Sequence, residues 1–115
     1  MDPVELSKKL ISYKSITPES KGSLEFIKSM LEKKDFNCDL LEFGGEKIKN
    51  LYAFYNGGRG PTICFAGHVD VVPPGNIVDW KTNPFKAQII NKRLYGRGAS
   101  DMKTSIASFL SATFD

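Results

Sequence analysis

The chain reads as an α/β protein in which a sheet is flanked by helices, and three observations carry that expectation. Apolar residues recur at helical spacing in three segments. Two further segments alternate apolar with polar residues or concentrate aromatic ones between Gly-containing turns. A continuous apolar run, Thr62-Ile63-Cys64-Phe65-Ala66, ends just before the only histidine, His68. Helix and strand signals alternate along the chain, which is the order expected of an α/β domain rather than a bundle or a sandwich.

The elements follow in order. Asp2, Pro3 and Glu5 mark a helix start, because an Asp side chain accepts from the free N–H groups of the first turn and Pro is tolerated there. Val4, Leu6, Leu10, Ile11 and Tyr13 supply an apolar stripe, so a helix is expected near residues 3–13. Ser15 to Gly22 is a polar loop. Ser23 can cap a second helix that carries Leu24, Ile27 and Met30 or Leu31 and ends at 35–37. Phe36, Cys38 and Leu40 alternate with polar neighbours, and Asn50 to Tyr55 is rich in aromatics between Gly44-Gly45 and Gly57-Gly58. Both read as strands that pair beside a buried third strand at 62–67. Pro73 to Asn83 holds too many Pro, Gly and polar residues for regular structure. Trp80 and Phe85 in or beside this loop either line a mouth or anchor the loop on the core. Residues 87–90 and 93–95 suggest a hairpin across Asn91-Lys92. A last helix opens at Asp101, with Met102, Ile106, Phe109 or Leu110, and Thr113 on one face.

Composition bounds the function. At 115 residues, with 41% hydrophobic and 25% charged residues, the length fits one ordinary domain. A net charge of +3, with Lys and Arg interspersed among Asp and Glu, argues against a nucleic-acid partner, which needs a concentrated basic patch. The start Met1-Asp2-Pro3-Val4-Glu5 has no basic and apolar leader, and no apolar run approaches the ~18 residues of a membrane span. A cytoplasmic protein with no membrane partner is the default expectation. Cys38 and Cys64 lie in separate strand-like segments and read as isolated thiols rather than a metal motif.

Chemistry concentrates in two strings, Gly67-His68-Val69-Asp70-Val71-Val72-Pro73-Pro74-Gly75 and Leu94-Tyr95-Gly96-Arg97-Gly98-Ala99-Ser100-Asp101-Met102-Lys103. In extended backbone, side chains at 68 and 70 share a side, so the Asp70 carboxylate can accept the far ring N–H of a metal-bound His68 imidazole. Gly96 and Gly98 permit a tight turn ahead of Asp101. Each residue also has an ordinary structural reading. Asp101 alone is an N-cap, and His68 alone is a satisfied core or turn histidine; both alternatives stand on spacing alone.

The segment from Ile63 to Lys103 resembles the aminoacylase/carboxypeptidase family of dinuclear zinc hydrolases, whose signatures are a Gly-His-x-Asp strand end and a Gly-Arg-Gly-x-x-Asp-Met-Lys helix start. With Leu10-Ile11-Ser12 and Ser15-Ile16-Thr17-Pro18, the likeness extends over essentially the whole chain. It implies the amino-terminal part of a zinc-hydrolase catalytic domain with a mixed sheet flanked by helices. It also implies that His68 is a ligand of one zinc, Asp101 a carboxylate bridging two Zn2+ ions (Co2+ being a possible substitute), and Asp70 the catalytic partner that orients His68. The implied substrate is a small N-acyl amino acid, and the implied parent enzyme a homodimer. Ser100 and Thr104 depart from the small Ala and Gly found more often at those places, and neither change removes a ligand.

Relatives draw a general-base Glu, an adjacent Glu ligand, another acidic ligand and a final His from sequence beyond their equivalent of Asp101. Here only Asp115 is acidic after Asp101, there is no second histidine, and the last helix runs to Thr113-Phe114-Asp115 without a Gly or Pro stop. Residues 1–115 are therefore expected to be an incomplete amino-terminal portion of the catalytic domain. Other deacylases or carboxypeptidases of the family, and a catalytically silent fragment or interaction module, remain the alternative readings.

Overall fold

The structure is a computed structural model that describes residues 1–114; Asp115, the expected end of the last helix, lies outside the described residues. Its elements are α1 (Pro3–Ser12), α2 (Ser23–Glu32), β1 (Asn37–Phe43), β2 (Ile48–Phe54), a 3-10 turn (Ile77–Asp79), β3 (Gln88–Ile90), β4 (Arg93–Tyr95) and α3 (Thr104–Phe114). The α/β class and the helix and hairpin order follow the sequence expectation.

α1 starts as its sequence dictates, with Asp2 Oδ1 accepting from the Val4 N–H at 2.8 Å. Its apolar stripe buries Leu6, Leu10 and Ile11, whereas Val4 in the first turn stays exposed. α2 differs in its cap. Gly22, at a φ of 88°, takes the left-handed cap position, and Ser23 is the first helical residue. The Ser23 hydroxyl donates back to the Ser20 carbonyl at 2.6 Å, so it serves the preceding turn and not the helix.

Three helices and one hairpin enclose the core. Leu6 and Leu10 of α1, Ile27, Met30 and Leu31 of α2, and Ile106, Ala107 and Leu110 of α3 form one cluster, onto which Cys38, Leu51 and Ala53 of the hairpin pack. β1 and β2 pair antiparallel, with Cys38 opposite Ala53 and Leu40 opposite Leu51. The period-2 pattern thus turns one face of the ribbon to the helices while Tyr52 and Phe54 stay exposed. β3 and β4 form the expected hairpin across Asn91-Lys92, both left-handed at φ 49° and 62°. Positive φ at both central residues is what a two-residue hairpin turn needs, and Asn is among the side chains that tolerate it.

Two expectations are corrected. Residues 62–67 are not a buried strand beside β1 and β2: no ladder includes them, Ile63 is 90% exposed, and the strands form two separate two-stranded sheets, not one mixed sheet. The β1–β2 ribbon spends its apolar face on α2 and the core, so it does not flank this run, and a continuous apolar run forms a buried strand only with partners on its edges and cover on both faces. Cover exists on one side only, where Phe65 stacks on Phe109 of α3 at 4.3 Å. Just beyond the run, an isolated parallel bridge joins Val71 to Ile16 in the loop after α1. The last helix, second, begins at Thr104 and not at Asp101, because Asp101 (φ −134°, ψ 96°) and Met102 (φ −140°, ψ 29°) have non-helical backbone. Among the described residues no helix is long and apolar enough to cross a membrane.

Leu10 of α1 is buried in the core cluster to which all three helices contribute. Leu10→Ala is expected to lower unfolding free energy by about 2–5 kcal/mol, read by urea denaturation, and a loss below about 1 kcal/mol would mean that the site refills or that α1 does not hold the core.

Candidate metal centre

The segment carrying His68 and Asp70 is held from below by the loop after α1. The Val71 N–H donates to the Ser15 carbonyl at 2.8 Å and the Thr17 N–H donates to the Val71 carbonyl at 3.0 Å. The Ser15 hydroxyl, on a residue with no exposed surface, donates to the Val69 carbonyl at 2.7 Å. Val71 is buried and Val69 partly so, which sends the alternate residues His68 and Asp70 to the opposite, wetter side.

Asp101 arrives from the other half of the chain on a turn built around two glycines. At Gly98, φ is +87° and a Cβ would sit 2.8 Å from Val71 Cγ1; at Gly96 a Cβ would meet Ile11 Cγ2 at 2.7 Å. Both positions need glycine, the first for conformation and closeness and the second for closeness alone. Beyond the turn, the Lys103 N–H donates to the Gly98 carbonyl at 2.8 Å. The Lys103 side chain, 1% exposed, passes beneath and donates from Nζ to the Tyr13 carbonyl at 2.8 Å. Burial with no carboxylate paired to it pulls the Lys103 ammonium down to about 8.

The outcome is that His68, Asp70 and Asp101 meet. His68 Nε2 and Asp101 Oδ1 are 3.0 Å apart, and His68 Nδ1 is 3.0 Å from the Asp70 carbonyl and 3.4 Å from Asp70 Oδ1. Asp101 precedes α3 by three residues, with its carboxylate 83% exposed and turned to the imidazole, so it is not the N-cap of that helix. Asp70 faces His68 as expected from the spacing, but its backbone carbonyl is the nearer partner and its carboxylate the second.

With an acceptor at each ring nitrogen, the imidazole in this arrangement favours its doubly protonated form. The His68 pKa is raised chiefly by the Asp70 carbonyl; partial burial opposes the rise, and the hydrogen bond and charge of the Asp101 carboxylate add to it. A metal ion would take the place of the proton on Nε2. The Nδ1–H bond to Asp70 would then fix the tautomer that leaves the Nε2 lone pair free. The spacing fits that exchange, since two ligand atoms of one tetrahedral zinc with arms of roughly 2.0–2.1 Å lie about 3.3 Å apart. His68 and Asp101 therefore need to part by only a few tenths of an ångström. Asp70 lies at the other ring nitrogen and cannot share that ion. Among the described residues there is no group of three or more His, Cys, Asp or Glu that could hold a metal.

Trp80 anchors its loop. Its Nε1–H donates to the Pro74 carbonyl at 2.9 Å and its ring lies 5.2 Å beneath the Arg97 guanidinium, which also donates to the Pro73 carbonyl at 3.3 Å. Sequence reasoning did not find Ser15, Lys103 or this clamp by Arg97. A serine in a polar loop carries no periodic signal, and the burial of Lys103 depends on a carbonyl ninety residues earlier in the chain.

Because the folded-state pKa of His68 is raised, its pairing contributes stability that is fully present below about pH 6.5 and is lost as pH rises through the higher folded-state value. NMR titration of the ring should give a midpoint above that of a free imidazole, and Asp101→Asn should bring it part of the way down. An unchanged midpoint in Asp101→Asn would show that the carboxylate does not face the ring. Gly98→Ala should destabilise the chain by about 1–3 kcal/mol in denaturant titrations through strain and contact with Val71, and wild-type stability would mean that the turn is not left-handed.

Comparison with known proteins places this geometry in context. Residues 64–114 match the model of Peptidase family M20/M25/M40. The chain is 58% identical over its whole length to a succinyl-diaminopimelate desuccinylase of Wolbachia pipientis subsp. Culex pipiens (strain wPip), covering 28% of that protein. It is 49% identical to the enzyme of the same name from Anaplasma marginale (strain Florida), with 96% of this chain aligned to 29% of that protein. The chain thus spans less than a third of the length of the curated relatives it matches. Among solved structures, an M20 family metallo-carboxypeptidase from Sulfolobus solfataricus, Sso-CP2, superposes with a TM-score of 0.83 at 30% identity, over 97% of this chain and 26% of that one. Human carnosine dipeptidase 1, at 21% identity and a TM-score of 0.77 over 96% of this chain and 27% of that one, shares the fold. The resemblance read from the motifs is borne out along the whole chain, and so is the α/β fold.

Proposed function

We propose that this chain carries one part of the active site of a metal-dependent amide hydrolase, the whole of which cleaves N-succinyl-LL-diaminopimelate to succinate and LL-diaminopimelate in lysine biosynthesis. The observation that carries the reading is the 3.0 Å approach of His68 Nε2 to Asp101 Oδ1, in a chain 46–58% identical to proteins named for that reaction. His68 is the ligand of one Zn2+ and Asp101 bridges two, because a carboxylate offers two oxygens and an imidazole cannot bridge in that way. Asp70 holds the Nδ1–H of His68 and so presents Nε2 to the metal. When bound, such ions supply polarisation of the amide carbonyl and a water acidic enough to ionise near neutral pH. Co2+ is a possible substitute.

Residues 1–115 are then an incomplete, amino-terminal portion of the catalytic domain. Among the described residues no group of three or more His, Cys, Asp or Glu could hold a metal, so the general base and the remaining ligands would come from polypeptide outside these residues. The substrate is a small N-acyl amino acid, the assembled enzyme a cytoplasmic homodimer, and neither nucleic acid nor membrane takes part. A second reading, peptide-bond cleavage by a metal-dependent carboxypeptidase, is favoured by the likeness to the Sulfolobus metallo-carboxypeptidase.

The test uses the chain as it is. Calorimetric zinc titration and an assay for released primary amine on N-succinyl-LL-diaminopimelate should both be negative for residues 1–115, since two protein ligands complete no coordination sphere. Mixing with the carboxy-terminal remainder of a related desuccinylase should restore tight zinc binding and amine release, and His68→Ala in this chain should abolish both together. Asp70→Asn should cost about 10- to 100-fold in activity or metal affinity while sparing more metal than His68→Ala does. Turnover by the chain alone, or full activity of the mixture with His68→Ala, would overturn the reading, and preference for a peptide over the succinyl substrate would favour the carboxypeptidase.

A further inference from the structure

The strongest unassigned feature is a five-residue stretch that touches both halves of the centre without belonging to either. Tyr13 to Thr17 follows α1 directly, closes short bonds within itself, among them the Ser15 N–H to the Tyr13 carbonyl at 2.8 Å, and reaches out to two other segments. Toward the His68 segment run three bonds: the Ser15 hydroxyl to the Val69 carbonyl, the Val71 N–H to the Ser15 carbonyl, and the Thr17 N–H to the Val71 carbonyl. Toward the Asp101 segment runs one, from Lys103 Nζ to the Tyr13 carbonyl at 2.8 Å. Lys103 is two residues beyond Asp101 and Val69 directly follows His68. Both donor side chains are almost completely buried: removing the Ser15 hydroxyl takes a buried donor from the Val69 carbonyl, and removing the Lys103 ammonium takes the tie between segments from the Tyr13 carbonyl, which keeps the Ser15 N–H.

We propose that Tyr13–Thr17 is a clasp that sets the separation of His68 and Asp101, with Ser15 and Lys103 as its two positioning residues. Ser15 acts on the strand side, where its hydroxyl holds the Val69 carbonyl and, with the flanking bridge, the extended backbone that brings the Asp70 carbonyl to His68 Nδ1. Lys103 acts on the turn side. Its stem fills the space beneath Gly98, where even a Cβ would come within 3.1 Å of it, and its ammonium reaches the carbonyl at the end of α1. A cation there also faces the negative end of the helix dipole. Neither residue touches Nε2 of His68 or the Asp101 carboxylate, so each works through the backbone it ties down. The inference rests on the proposed metal pairing only for what the geometry is used for.

The two arms give separate signatures, which a merely structural role would not. The readout is the pair of ring ¹⁵N resonances of His68 in the metal-free 115-residue chain at one fixed pH, with folding checked by circular dichroism. Lys103→Met keeps the stem and removes the donor; it should move the Nε2 resonance at least halfway to its position in Asp101→Asn and leave Nδ1 in place. Ser15→Ala should move Nδ1 and spare Nε2. Lys103→Arg, which restores a donor, should return Nε2 toward wild type. Leu110→Ala, a core variant remote from the clasp, is the control and should leave both resonances alone while lowering the melting temperature. Both ring signals unchanged in the folded Lys103→Met and Ser15→Ala variants, or both moved together by every variant including Leu110→Ala, would overturn the clasp. If Lys103→Met does not fold, Ser15→Ala decides: a shift confined to Nδ1 supports the clasp and no shift overturns it. Because the readout needs no metal, failure of the zinc or amidase experiments would leave this result standing, and the reverse holds equally.

Discussion

The parallel bridge between Ile16 and Val71, closed by two backbone hydrogen bonds, ties the loop after α1 to the segment that carries His68, and the rest of the candidate centre hangs from it. The core cluster of α1, α2 and α3 would hold together without it, since Leu6, Leu10, Ile106 and Leu110 meet through side chains. The segment from Thr62 to Val72 would not be placed. Among the described residues its backbone joins no strand ladder, and its register relative to α1 is set where Val71 is gripped from both directions. A one-residue slip there would exchange the partly buried Val69 and the buried Val71 for His68 and Asp70 and turn both site residues toward the core.

A second constraint comes from the turn on the opposite side. Gly96 lies against Ile11 and Gly98 against Val71 and the Lys103 stem, so the turn before Asp101 is packed directly onto α1 and onto the bridge. Packing leaves little slack, which is why an exposed carboxylate and an exposed imidazole, each free to rotate if placed on ordinary surface loops, stand within a hydrogen bond of each other. The electrostatics then follow from the geometry. An imidazole with an acceptor at each nitrogen holds a second proton more firmly, and the same two acceptors describe what a ligand histidine needs, an orienting partner on one nitrogen and a cation on the other.

Exposure of the apolar run beside this site has a physical origin of the same kind. Thr62 to Ala66 has the composition of a strand covered on both faces, yet only Phe65 finds a partner, on α3. The β1–β2 ribbon turns its apolar side to the core, and β3–β4 is a short separate hairpin. The chain spans less than a third of the length of its curated relatives.

Local chemistry made much of this legible from residues alone. The Asp2-Pro3 start of α1, the Asn91-Lys92 hairpin and the apolar stripes of all three helices depend on neighbours within a turn or two, and there the expectation and the structure agree. The meeting of His68 with Asp70 was readable for the same reason, since period-2 geometry over three residues decides it. Pairing of His68 with Asp101, thirty-three residues apart, was visible only as a resemblance of motifs. Distances between such residues are set by packing, and composition carries no record of it. The start of α3 shows the limit well: periodicity begins at Met102, but the backbone is drawn out of helical geometry until Thr104, where Lys103 is tied to the end of α1. Likewise Gly22 displaced Ser23 as a cap because the turn before α2 needed a left-handed residue. The sequence by itself determined the helices, the hairpins and the kinds of side chain that a metal would use. Tertiary structure alone decided that Ser15 and Lys103 are buried, that the apolar run is uncovered, and that His68 and Asp101 face each other, because each of these results from contacts between segments whose separation along the chain no local rule can span.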